Sequence, residues 1–204
     1  QSLGKGKTLY FVDPSFKAGF VYKINGRQRL SVNGLVETRA PFAGYSYVAP
    51  RIKDTRIKGL KSEKVYSIDL NYQFSTPVVK GRISGFSTFI NDATEATGYY
   101  NDEFRTFVNH TLAGINKRYL GVEAGISVKL NNSFSISWAG AFGDYRYMNN
   151  AIGTMSAESG ANLLTGELPQ TPTAARNSDI TEKVYTKDLM VSNGPQLATS
   201  ITLD

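Results

Sequence analysis

Polar and apolar residues alternate without exception over 66–74. Tyr66, Ile68, Leu70, Tyr72 and Phe74 share one parity; Ser67, Asp69, Asn71 and Gln73 share the other. A period of two sends successive side chains to opposite faces of a β-strand. The pattern recurs along the chain. Phe16, Ala18, Phe20, Tyr22 and Ile24 oppose Lys17, Gly19, Val21 and Lys23, and Leu30, Val32, Gly34 and Val36 oppose Arg29, Ser31, Asn33, Leu35 and Glu37. Further on, Val122, Ala124, Ile126, Val128 and Leu130 oppose Gly121, Glu123, Gly125, Ser127 and Lys129. Phe134, Ile136, Trp138, Gly140 and Phe142 oppose Ser133, Ser135, Ser137, Ala139 and Ala141. A weaker strand over 79–89 sets Val79, Ile83 and Phe89 against Lys80, Arg82, Ser84 and Thr88, and a last one begins near Leu197.

Charges test the assignment of faces. Where one stretch holds two, they share a parity: Lys17 with Lys23, Arg29 with Glu37, Lys80 with Arg82, Glu123 with Lys129. Lys64 and Arg118 break the rule, but at strand mouths, where a long side chain reaches water. Such strictness fits a lipid-facing surface, because Lys or Arg at mid-bilayer costs about 2–4 kcal/mol. The connections carry a second pattern. Asn25-Gly26 predicts a type I′ hairpin turn, and Ser75-Thr76-Pro77 and Asn131-Asn132 predict two more tight turns. Between them run long connections over 38–64, about 90–118 and about 143–196. Membrane barrels alternate short periplasmic turns with long extracellular loops, which places Asn25, Pro77 and Asn131 on the periplasmic side. The stretch 154–178, rich in Ser, Thr, Ala, Gly and Pro, is expected to be a loop tip. Tyr99 to Leu112 holds enough β-formers for an extra hairpin within the second loop.

Composition narrows the picture only slightly. The 204 residues hold no cysteine, which excludes disulfides and thiolate chemistry. Tyr and Phe dominate the aromatics, 12 and 11 against one Trp, as at membrane interfaces where a ring is buried and a hydroxyl stays wet. A mean hydropathy of −0.27 and the lack of an apolar run of about 20 residues argue against membrane helices. They leave barrels open, whose strands are half apolar. The net charge of +6 is spread along the chain without the dense basic patch of a nucleic-acid binder. The start at Gln1 and the end inside an alternating stretch suggest an excerpt of a longer protein.

No enzyme is expected. Gly6-Lys7-Thr8 matches the end of a phosphate-binding loop, but Gln1 occupies the position of its first glycine. His110 is the single histidine, and Asp102-Glu103 is an adjacent acidic pair without a second carboxylate across a cleft. No cofactor or metal is expected. Two sets of residues are candidates for binding. Tyr45, Tyr47, Arg51, Arg56, Tyr99, Tyr100 and Arg105 would form a ligand vestibule in the loops; the alternative is an aromatic girdle, above all for Tyr145 and Tyr147. Arg29, Glu37, Asp69, Lys80, Arg82, Glu123 and Lys129, with Lys17 and Lys23, would face a lumen. There they solvate and cross-link the interior, or rest against a plug, unless they contact a solute.

Leu60-Lys61-Ser62-Glu63-Lys64, entering the strand through Asp69-Leu70-Asn71-Tyr72, resembles the "Leu-Lys-Pro-Glu" strand entry of TonB-dependent receptors, with Ser62 in place of proline. Asn109 through Gly114 to Gly121-Val122-Glu123, after the basic pair Lys117-Arg118, resembles a second strand of that family. Tyr22-Lys23-Ile24-Asn25-Gly26-Arg27, Thr38-Arg39-Ala40-Pro41 and Asn193-Gly194-Pro195-Gln196 are similar to Bacteroidetes receptors with a carboxypeptidase-regulatory-like N-terminal domain. The resemblance implies a barrel of about 22 strands, a plug domain, and energy from the inner-membrane TonB complex through a TonB box. Neither the plug nor the box is in these residues.

The expectation is therefore an all-β chain, 1–204, forming part of one antiparallel transmembrane β-barrel with long extracellular loops. About seven strands are too few to close it. The function expected is import of a nutrient (siderophore, oligosaccharide or peptide) across the bacterial outer membrane. Its partners would be outer-membrane lipid, the TonB complex and the nutrient, with no nucleic acid. The alternatives are a passive porin, a structural barrel, or a soluble β-sandwich binding module in which a second sheet covers the apolar face.

Overall fold

The computed structural model describes residues 8–165, 167–168, 179–191 and 196–203. They form an antiparallel sheet of nine strands: β1 (Ser15–Asn25), β2 (Gln28–Arg39), β3 (Glu63–Ser75), β4 (Val79–Asn101), β5 (Thr106–Lys129), β6 (Ser135–Tyr147), β7 (Ala151–Ala157), β8 (Ile180–Val184) and β9 (Leu197–Leu203). Seven run side by side in the order β1-β2-β3-β4-β5-β6-β9, while β7 pairs with β5 and β8 with β7. The seven are the strands that period two predicts. The sheet is open, with β1 bonded only to β2 and β9 only to β6 among the described residues.

The three tight turns lie where the sequence places them, with one shift. The first is centred on Gly26-Arg27, not Asn25-Gly26, because Asn25 still pairs with Gln28 after a bulge beyond Lys23. Positive φ occurs elsewhere, at Gly59, Gly114 and Gly160 among glycines. The turn is held instead by the Asn25 side chain, which accepts the Arg27 N–H at 2.8 Å. Thr76 closes the second turn, its hydroxyl accepting the Val79 N–H at 2.8 Å. Asn131 closes the third by accepting the N–H groups of Ser133 and Phe134 at 2.8 and 2.9 Å. Local side-chain bonds of this kind let Asn and Thr end a strand.

At the opposite end two of the expected loops turn out to be structured. The span 90–118 continues β4 and β5 as one long hairpin, turning at 102–105. Two compensating bulges mark where it leaves the sheet below. An extra residue on β4 lies between Ile90 and Ala93, and an extra one on β5 lies between Ala113 and Ile115. Asp92 (φ 59°) and Gly114 (φ 69°) take the left-handed conformation there, as bulge residues do. Asn116 and Asn149 bracket the site: Asp92 N–H donates to Asn116 Oδ1 at 3.1 Å, and Asn149 Nδ2 donates to the Gly114 carbonyl at 2.8 Å. Within 143–196, residues 151–157 form β7 along the extended β5, so the predicted loop tip starts as a strand. Residues 166 and 169–178 of that tip lie outside the described residues, as do Asn193, Gly194 and Pro195.

The register fixes two continuous faces. Phe20, Val32, Leu70, Gly85, Val122, Phe142 and Leu197 form one cross-sheet row. On the other face Val21, Ser31, Asn71, Ser84, Glu123, Ala141 and Ala198 form another. Burial is inverted relative to a sheet that packs an apolar core. Ile68 and Leu70 are 55% and 50% exposed, whereas Asn71 and Ser84 are 8% and 4% exposed. A depression at the tight-turn end of the polar face touches six consecutive strands, from Lys23 on β1 to Ser137 on β6.

Conventional cores do exist, but at the end of the sheet opposite the tight turns. Val48, Ile57 and Leu60 from the β2–β3 connection pack on Ala113 of β5, with Leu9 and Phe11 against them. Ala93, Ile115 and Ala151 form a second cluster with Ile90, Leu112 and Tyr147. The hairpin and its connections thus fold as a small ordered cap, stabilised as soluble proteins are.

Candidate binding surfaces

On the polar face three of the charged side chains, Arg29, Asp69 and Arg82, are held by neutral partners. Asp69 accepts Asn33 Nδ2 at 2.9 Å and also the Asn71 amide. Asn71 Oδ1 accepts Arg82 Nη2 and Ser84 Oγ, each at 2.8 Å. Arg82 also donates to Ser84 Oγ, and Arg29 donates to Gln73 Oε1. Ser67 and Thr88 share a bond of 2.7 Å, and Ser137 donates to Ser127 at 3.0 Å. No ion pair among the described residues joins any of Arg29, Glu37, Asp69, Lys80, Arg82, Glu123 and Lys129. Arg29, Asp69 and Arg82 are instead linked across strands to an amide and hydroxyl network. Asn33, Asn71, Gln73 and Ser84, which sequence reasoning did not single out, are its members. Their signal was their shared parity with the charges.

All seven predicted residues of this face lie on it by register. Arg29 stands opposite Lys23 and Gln73, Arg82 opposite Gln73 and Gly125, and Lys80 opposite Ser75 and Ser127. Glu123 stands opposite Ser84, Glu37 opposite Val65, and Lys129 opposite Ser135. Toward the end away from the tight turns the face turns aromatic. Tyr145 lies 5.3 Å from Tyr119 and 6.4 Å from Phe86 between ring centroids. Phe86 covers Gly121 and Tyr145 covers Gly143 so closely that an added Cβ would meet either ring at 2.4 Å. Aromatic cover of a bare strand glycine supplies the packing it lacks.

The boundary of the apolar face is marked by charge. Arg118 and Arg146 are direct cross-strand partners, and Asp144 lies between them, bonded at 2.6 and 2.5 Å. Arg118 was anticipated as a strand-mouth exception; Asp144 and Arg146 were not, although both share the parity of Trp138 and Phe142. Beyond this boundary Lys117 pairs with Glu95 and lies 5.5 Å from the Tyr147 ring. Burial lowers the Lys117 pKa, but the hydrogen bond and charge of Glu95, with smaller help from Tyr119 and Tyr147, outweigh it and raise the group above an ordinary lysine.

The predicted vestibule residues fall into two groups. Tyr45 lies in a 3-10 turn (Ala43–Tyr45), edge-on to Phe42 at 5.9 Å. Tyr47 bridges to Arg56, whose guanidinium donates to the Leu60 carbonyl at 3.1 Å. Tyr99 and Tyr100 lie at the hairpin tip on opposite faces of β4, Tyr100 edge-on to Phe107 at 5.3 Å, and Arg105 forms the turn with φ 46°. Arg51 links the groups through Glu158, 3.8 Å away, whose backbone N–H donates to the Phe107 carbonyl. Tyr147 packs in the second small core and Tyr145 over Gly143, so both serve the wall rather than an open loop.

Comparison with protein-family models, curated proteins and solved structures found no match.

Proposed function

We propose that this chain is part of the wall and outer cap of a bacterial outer-membrane β-barrel that takes up a nutrient. The inverted burial carries the reading. About twenty large apolar side chains stand half exposed on one face, and covering what remains is worth roughly 1 kcal/mol each, on the order of 20 kcal/mol together. A domain has about 5–15 kcal/mol of net stability in all, so this face needs a cover. The polar face is internally bonded and carries a depression that crosses six strands, which suits the lumen of a barrel. From Leu120 to Leu130 the apolar side chains of β5 run about 34 Å along the strand. At a tilt of about 40° that spans about 26 Å of depth, close to the apolar band of roughly 25 Å on membrane barrels.

Three tight turns at one end and the ordered cap at the other support the periplasmic and extracellular assignment made from connection lengths. The TonB-dependent class is supported by the motifs quoted above, of which Leu60-Lys61-Ser62-Glu63-Lys64 enters β3 and Gly121-Val122-Glu123 lies in β5. In that reading the wall guides a nutrient, performs no covalent chemistry, and is opened by the TonB complex acting on a plug. Uptake by cells carrying the full-length protein, with and without TonB, tests it. Loss of uptake without TonB is expected, and undiminished uptake would leave a passive barrel. A protein that stays in the aqueous fraction without detergent refutes the membrane assignment altogether.

A further inference from the structure

The tight-turn end of the polar face carries a cluster of cations that nothing in the wall neutralises. A depression of about 730 Å³ there is lined by Lys23, Arg27, Arg29, Lys80 and Arg82 and by no acidic residue. Lys23 and Arg29 are direct cross-strand partners, an arrangement that destabilises a sheet when both are charged alike. The same sheet shows the ordinary remedy at its other boundary, where Asp144 lies between the paired Arg118 and Arg146. At Lys23 and Arg29 no such acid is present among the described residues. Arg29 and Arg82 are aimed by neutral acceptors, Gln73, Asn71 and Ser84, which orient a guanidinium without discharging it. Arg29 and Arg82 flank Gln73 in one cross-sheet row, two strands or about 10 Å apart. Lys80 stands on the same face as Arg82, two residues nearer the turn.

We propose that this depression is a binding station for a multivalent oxyanion, so that the solute passing along this face carries two or more phosphate or carboxylate groups. The inference rests on the reading that the face lines a solute path, and it names the chemistry of that solute. Rings of Arg and Lys select anions in other membrane pores by the same electrostatics.

The test is titration calorimetry of the full-length protein in detergent micelles, with inorganic pyrophosphate and, separately, citrate. Saturable binding of at least one of the two is expected, weakening as salt screens the charges. Lys23 and Lys80 are exposed and make no ion pair among the described residues, so Lys23→Gln with Lys80→Gln leaves the fold intact. It should weaken binding by roughly tenfold or more, and Lys23→Arg with Lys80→Arg should restore it. Lys58→Gln with Lys187→Gln removes the same charge from the outer connections and should change nothing. Absence of binding by the unsubstituted protein, or equal weakening by the second pair, overturns the proposal. If the protein instead needs no detergent, the membrane reading fails while the same titration still decides the anion site.

Discussion

Replacing Leu70 by arginine puts a charge at the middle of the apolar stretch of β3, between Ile68 and Tyr72. Leu70 is 50% exposed and its cross-strand partners are Val32 and Gly85. The small partner leaves room, so little steric cost arises, and the environment of the face decides the outcome. In lipid, arginine near the midplane destabilises a barrel by about 2–4 kcal/mol. On a face open to water, a substitution at a half-exposed site changes stability by less than about 0.5 kcal/mol. Ala139→Arg is the comparator, since Ala139 is exposed on the polar face opposite Gly125 and Ser200; there the cost should stay below about 1 kcal/mol. Denaturant unfolding of the full-length protein in phospholipid vesicles measures both. Trp138, the single tryptophan, lies on the apolar face in the row of Ile126 and Ile201 and reports the transition. A Leu70→Arg cost below about 0.5 kcal/mol, or one no larger than that of Ala139→Arg, would refute the lipid-facing assignment.

Other outcomes follow from the same geometry. Brominated lipid tails should quench Trp138 strongly, since its ring is 40% exposed on the apolar face; unquenched emission would place that face against protein or water. Gly121→Ala should destabilise by about 1–3 kcal/mol, because the new Cβ meets Phe86 at 2.4 Å and the Phe142 carbonyl at 2.9 Å. Gly85→Ala, with nothing within 4 Å, should be nearly neutral in the same unfolding assay. Asn71→Ala removes the acceptor of Arg82 and Ser84 and a donor to Asp69, and should cost about 1–3 kcal/mol. Asp144→Asn leaves Arg118 facing Arg146 without a counter-charge, lowering the melting temperature by an amount that shrinks as salt is raised.

What the sequence determined alone is the two-faced wall. Alternation is a local property, and in a strand with one charged parity and one apolar parity a one-residue slip would exchange the two faces, so parity decides which side chains share a face. The seven strands and their two faces follow from Phe20, Leu70, Val122 and Phe142 on one side and Lys23, Asp69, Arg82 and Glu123 on the other, and the three tight turns from Asn25, Thr76 and Asn131. The outer region did not yield to the same reasoning. The bulges at Asp92 and Gly114 interrupt the count of two in both strands of the hairpin, so β4 and β5 look as if they end where they only bend. Residues such as Ala93, Ala113, Ala151 and Ala157 carry too little hydrophobicity to announce a core, and are buried because distant segments close over them. The partners of the polar face were equally hidden. Parity put Arg29, Asp69 and Arg82 on one surface, but only the cross-strand register brought Gln73, Asn33, Asn71 and Ser84 to them. Which side chains meet across a sheet depends on register: β2 and β3, joined by a long connection, bring Gln73 to Arg29 and Asn33 to Asp69, whereas the local β1–β2 hairpin sets Lys23 beside Arg29.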